Sequence, residues 1–235
     1  MKIKIVLYIF FCLVPSLGKS QSLRIDHVVA VYSDLTKAIA RYESNGFKIK
    51  QGRLHSNGLI NAHIKFKNNT ALELMSLTKD ASGPIPNAYR RFLSTQEGGT
   101  YLVLTGWPIK KLAIELKKQS INFSTTLGPN WNYLVFEKGS GLEHVFFIEY
   151  LKPIYDKLEY FQHKNAADGF LEVVIDGDER LHVLFKLLQL EQLNDGVWAT
   201  PTGRIKVVAG KDENTTFRVR KILFDAETNK KMVEW

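Results

Sequence analysis

The sequence predicts an α+β fold made of repeated βαβββ units. Three observations carry this reading. A strand, one helix and three further strands follow one another from residue 25; the same order returns from residue 100; and the two passes superpose at their starts, Tyr101 falling under His27 and Ile109 under Leu35. A single unit of this kind leaves one sheet face open, which a neighbouring unit covers, so repetition is what closes the core.

The first residues stand apart from the repeat. Lys2 and Lys4 precede an apolar run from Ile5 to Val14, followed by Pro15 and the small residues Ser16, Gly18 and Ser20, the layout of a secretory signal peptide. The run is short for a bilayer and no second one follows it, so residues 1–20 are expected to be a cleaved leader, leaving a secreted or periplasmic protein with no stable membrane span. Cys12, the one cysteine, leaves with the leader, which excludes disulfides, cysteine nucleophiles and thiolate metal sites from the mature chain. The 32 Lys+Arg against 24 Asp+Glu give a net charge of +8, or +5 once Lys2, Lys4 and Lys19 are removed. These charges are scattered over helices and turns without interleaved aromatics, so nucleic acid is not an expected partner.

The first unit reads as a strand over Ile25 to Tyr32, an N-cap at Ser33-Asp34, and a helix with Leu35, Ala38, Ile39 and Tyr42 on one face, ended by Asn45-Gly46. Strands follow over Phe47 to Gln51, Ile60 to Lys67 and Thr70 to Leu77, separated by turn residues. After a linker rich in Ser, Gly and Pro, the second unit gives a strand over Thr100 to Thr105, a helix over Ile109 to Gln119, and strands over Phe123 to Thr126, Trp131 to Glu137 and Val145 to Tyr150. A third pass runs from Phe170 to Ile175, through a helix over Asp178 to Gln189, to strands over Val197 to Thr200, Gly203 to Ala209 and Thr216 to Phe224. The domain organisation is then two units over 23–151, a linker over 152–168, a third unit over 169–224 and a tail over 225–235, a fourth copy being absent unless the tail is its remnant.

The segments "IDHVVAVYSDLTKAIARYESNGF", "GRLHSNGLINAHIKF" with "ALELMSL", "VFFIEYL" and "HKNAADGFLEVVID" make the chain resemble glyoxalase-like domains of the vicinal oxygen chelate superfamily. The resemblance covers most of Leu23 to Phe224. It implies that paired units curl into half-barrel sheets, helices outside, around a small-molecule cavity, and that first and fourth strands bring side chains toward that cavity. On that basis His27, Glu73 and Glu149 are expected to converge, Glu149 being set under Glu73. An imidazole and two carboxylates suit a divalent ion such as Zn, Fe, Mn or Ni, which would act as Lewis acid in lyase, isomerase or dioxygenase chemistry. Tyr101 stands where a second histidine is often found; a neutral phenol is a poor ligand but donates a hydrogen bond to an anion.

His55 and Asn61 match the family's segment before and on the third strand, His55 as a general base or orienting donor, Asn61 as a ligand contact. Tyr101, Trp107, Trp131, Tyr133 and Phe147 are the aromatics expected to wall the pocket, Trp131 as a ligand contact. Each has a plainer use: His27 satisfied locally beside Asp26, the glutamates on a solvent face, His55 on an exposed loop, the aromatics in the core. His163 reads as a structural junction, while His63, His144 and His182 show no convergent spacing. The expectation is an exported protein binding a small molecule, either with metal-dependent catalysis or as a metal-free binding module, and a homodimer is compatible with the family's habit of pairing units between chains.

Overall fold

The computed structural model describes residues 22–210, 218–226 and 231–235; the expected leader lies outside them. The first unit comprises β1 (Arg24–Val31), α1 (Leu35–Ser44), β2 (Lys50–Leu54), β3 (Leu59–Lys65) and β4 (Ala71–Leu77). Helix α1 starts where the sequence asks for it: Asp34 has extended backbone and its carboxylate accepts from the Lys37 amide at 3.0 Å. It stops at Asn45, and Gly46 takes φ +84°, a left-handed exit that favours glycine.

The next segment, expected as a linker, holds a helix, α2 (Pro84–Leu93). Pro84 opens it after Gly83, a position where proline's missing N–H costs nothing, and it turns Tyr89 and Phe92 onto one buried face. The second unit then follows as β5 (Gly98–Thr105), α3 (Ile109–Lys118), β6 (Phe123–Leu127), β7 (Trp131–Phe136) and β8 (Val145–Tyr150). The two units form one eight-stranded mixed sheet in the order β2-β3-β4-β1-β5-β8-β7-β6, curved but not closed.

The third unit runs through β9 (Ala167–Asp176), α4 (Glu179–Leu187), β10 (Glu191–Asn194), β11 (Val197–Thr200) and β12 (Gly203–Val208). Its strands come one earlier than the sequence pattern suggests, because β10 is wholly exposed and carries no apolar alternation to mark it. The strand expected to finish this unit, β13 (Val219–Ala226), instead pairs antiparallel with β9 as β5 pairs with β1, and β14 (Lys231–Glu234) pairs antiparallel with β13. The second sheet is therefore β10-β11-β12-β9-β13-β14, a unit plus the first strand of a fourth and a short return strand.

The large sheet has two unlike faces. Val28, Ala30, Leu72, Leu74, Leu102, Leu104, Val145 and Phe147 enter a main core shared with α1, α3 and the third unit. Val29, Val31, Leu59, Met75, Val103 and Ile148 face the other way, toward Tyr89 and Phe92 of α2. The third unit is bonded to the main core side of the first. Phe66 packs on Phe170 and Phe224 at ring separations of 5.5 and 5.3 Å, the Asn68 amide donates to the Thr202 carbonyl at 3.2 Å, and Thr202 Oγ1 donates to the Ile25 carbonyl at 2.9 Å. His163 is the junction its sequence position suggests: its Nδ1 accepts from the Lys48 amide and its Nε2 donates to the Lys65 carbonyl, fixing the connecting segment to β3. Among the described residues no helix is long and apolar enough to cross a membrane.

Candidate functional site

Strand alternation decides which residues share the inner face, the one opposite the main core. On β1 it presents His27, Val29 and Val31; on β3 Leu59, Asn61 and His63; on β4 Glu73 and Met75. A bulge in β1 adds one more: Ile25 lies opposite Leu104 and His27 opposite Val103, so Asp26 is the extra residue and its carboxylate turns back to the neighbouring imidazole. The result is one polar cluster on the first unit's half of the sheet.

Its bonds form a chain. His27 Nδ1 donates to Asp26 at 2.6 Å, and His27 Nε2 lies 3.5 Å from Glu73 Oε2. Asn61 Nδ2 donates to Glu73 Oε1 at 2.7 Å and lies 3.1 Å from His63 Nε2, while the Asn61 side-chain oxygen accepts from the Arg53 amide at 2.9 Å. The Tyr150 hydroxyl donates to Asp26 at 2.9 Å. The side chains of Asp26, His27 and Glu73 keep only 13–14% of their surface exposed, so their mutual charges are weakly screened. Burial by itself would lower the His27 pKa, but the hydrogen bonds and charges of Asp26 and Glu73 outweigh it and raise it to about 9. Burial pushes Glu73 the opposite way from its imidazole partner, and the partner wins, leaving its pKa at about 2. Burial does win at His63, lowered to about 4, so this ring stays neutral beside the Asn61 amide.

The second unit's half of the same face is aromatic. Tyr101, Trp131, Tyr133, Phe146 and Tyr150 are each half-buried, and they run together: Tyr101 to Phe146 at 5.8 Å, Phe146 to Tyr133 at 6.1 Å, Tyr133 to Trp131 at 6.5 Å between ring centroids. Phe146 also meets His27 edge-on at 6.1 Å, which is where the aromatic and polar halves join. Tyr89 of α2 packs on Tyr101 at 6.0 Å and covers that end. Burial raises the phenols of Tyr101 and Tyr133, the latter to about 12, so both are neutral donors at physiological pH.

Of the residues singled out in the sequence, His27, Glu73, Asn61, Tyr101 and Trp131 share this face. Glu149 does not. The pairings β1–β4 and β5–β8 put Glu73 beside Val29 and Phe146 beside Val103, so the residue matching Glu73 is Phe146, three positions before Glu149. Glu149 is on the main core side, accepting from Asn132 Nδ2 at 2.9 Å and from the Ile109 amide at 3.2 Å. It thereby supplies the cap that Pro108 cannot give to α3; its counterpart in the first unit, Ser76, donates instead to the Ser33 carbonyl, and α1 is capped by Asp34. Aligning "ALELM" with "FFIEYL" by their glutamates misplaced the register, because both strands carry apolar side chains on either side of the charge.

His55 sits past β2 in the turn to β3, its backbone bonded to Leu59, and takes no part in the cluster's hydrogen bonds. Phe147 is buried on the main core side against Phe136, and Trp107 packs toward that core under the Lys111 ammonium, so Phe146 and Tyr150 replace them in the wall. His63 was readable from Asn61 by strict alternation; the Asp26 bulge has no signature in the sequence. Among the described residues no three His, Asp or Glu side chains are arranged to hold an ion, and at the positions that answer His27 and Glu73 the second unit has the phenol of Tyr101 and the ring of Phe146.

Comparison with known proteins places this arrangement. The family model of the glyoxalase-like domain matches residues 25–190. Among curated proteins none matches. A hypothetical protein of Staphylococcus aureus superposes with a TM-score of 0.58 at 14% identity, over 80% of this chain and 87% of its own. Methylmalonyl-CoA epimerases of Streptomyces coelicolor and Mycobacterium tuberculosis superpose with TM-scores of 0.45 and 0.46 at 15% and 16% identity, over 57% and 55% of this chain and 98% and 88% of theirs. With its repeated units, its curved eight-stranded sheet and a match over most of its length, the chain belongs to the glyoxalase-like domain family.

Proposed function

We propose that this protein is an exported binding protein for a small planar molecule, held on the inner face of the eight-stranded sheet. The observation that carries the reading is the division of that face: half-buried aromatic rings on the second unit, a chain of hydrogen-bonded polar groups on the first, joined where Phe146 meets His27. Five aromatics left partly open on an interior face supply contact area and flat walls, and the cluster supplies a few fixed polar contacts, the composition of a ligand site. Glu73 and the Asn61 amide are the groups placed to accept from and donate to a ligand's polar edge, with the Tyr101 and Tyr133 hydroxyls as further donors. The metal-free binding module is favoured over a metal-dependent lyase, isomerase or dioxygenase by the donor set, since the second unit has only a neutral phenol and a benzene ring at the positions that answer His27 and Glu73. Both halves come from one chain through the β1–β5 pairing, so the reading needs no second copy. Export rests on the leader-like residues 1–20 alone.

The test is calorimetric titration of the mature protein with catechol, 4-hydroxybenzoate and tyramine, repeated with Tyr133→Ala and Glu73→Gln. Binding of at least one probe tighter than about 1 mM, weakened in both variants, is the expected result. Absence of binding by all three, or binding that both variants leave intact, sinks the reading. N-terminal sequencing of protein recovered from outside the cytoplasm checks the leader.

A further inference from the structure

The geometry points to Tyr101 and Phe146 as the two positions that keep this face from holding a divalent ion, so that ligand recognition here proceeds without one. The argument is one of symmetry in the sheet. Val28 lies opposite Leu102 in the antiparallel β1–β5 pair, and about that point His27 lies opposite Val103 and Tyr101 opposite Val29. The flanking parallel strands follow the same relation, Glu73 beside Val29 and Phe146 beside Val103. The rotation that carries His27 onto Tyr101 therefore carries Glu73 onto Phe146.

The first unit keeps an imidazole and a carboxylate at its two positions, with Asp26 behind the imidazole in the place of an outer partner that would orient a ligating histidine. The second unit answers with a phenol and a benzene ring. Phe146 is in edge contact with the His27 ring and with Tyr101, so it fills the space where a donor from the second unit would stand. Two donors on one side do not make a closed site for a divalent ion, which takes three or four. The nearest alternatives are committed elsewhere: Glu149 to α3 and Asn132 on the opposite face, His63, whose Nε2 is 4.0 Å from Glu73, to the Asn61 amide, and His144, stacked on Tyr101, to the Thr100 carbonyl. The proposal is independent of which molecule the face binds.

Cobalt(II) titration of the chelator-treated mature protein, read by the visible absorption of the bound ion, tests it without any organic ligand. Wild type is expected to show no saturable band below about 1 mM cobalt. Tyr101→His combined with Phe146→Glu should bind one equivalent about a hundredfold tighter or better, as two added donors complete a four-ligand site, and adding Glu73→Gln should abolish the gain. Saturation of wild type at micromolar cobalt, lost in Glu73→Gln, overturns the proposal; so does a double variant that is folded by circular dichroism and gains nothing. If the double variant does not fold, the wild-type titration with its Glu73→Gln control decides alone.

Discussion

Raising the pH through the alkaline range should destabilise this protein, and the His27 cluster sets both the sign and the size. In the unfolded chain an imidazole titrates near its ordinary value of 6.5; in the folded chain the Asp26 and Glu73 carboxylates hold it at about 9. The native state thus binds more protons than the unfolded state between these values, so the stabilisation is fully present below pH 6.5 and is lost as pH rises through 9. A rise of somewhat over two units corresponds to about 3 kcal/mol, counted once for the coupled ion pair. On the acid side Glu73, held at about 2, contributes stability that is present above its ordinary 4.5 and lost as pH falls toward 2. Urea denaturation from pH 6 to 10, with His27→Gln in parallel, isolates the effect: Gln keeps a donor toward Asp26 but has no proton to lose. The difference in unfolding free energy between wild type and variant should shrink by about 3 kcal/mol across the range. A constant difference would refute the reasoning, because it would mean that folding does not raise the His27 pKa.

Two further substitutions examine the placement of side chains. Glu149→Ala should cost about 1–3 kcal/mol in urea denaturation by leaving the Ile109 amide and the Asn132 side chain without their acceptor, yet leave probe binding on the inner face unchanged. Gly52→Ala should weaken probe binding measured by calorimetry, because a Cβ there would stand 2.0 Å from the Asn61 side-chain oxygen and 2.2 Å from its carbonyl, forcing β2 away from β3 and pulling Asn61 off Glu73.

The repeat was legible because turn residues and helical spacing mark its joints: Asp34, Asn45-Gly46 and the apolar helix face at Leu112 and Leu116 stand where the pattern requires. Elements that draw their order from tertiary contact were not. Strand β10 is an edge strand of exposed residues, Leu193 among them, stabilised by pairing with β11 and not by any buried stripe of its own. Helix α2 hides behind two prolines that usually mark a loop, though both fall in its first turn. In the site, alternation along a strand was enough to put Asn61 and Glu73 on one face, whereas Asp26 arrived there by a bulge and Glu149 lies three positions past Phe146, the residue that answers Glu73, so that aligning the two glutamates shifts the comparison. Such shifts are invisible where both faces of a strand are apolar, as in "VFFIEY".

The contacts between the first and third units bear on how this molecule melts. Phe47 and Phe66 of the first unit, Phe170 of β9, Phe224 of β13 and the His163 ring form one aromatic cluster, and Thr202 is hydrogen-bonded to the very strand that carries His27. A fragment ending after β8 would retain every side chain of the inner face but expose this cluster to water. The three units are therefore expected to unfold as one cooperative body, the strand that carries the polar cluster being tied to a residue more than a hundred positions downstream.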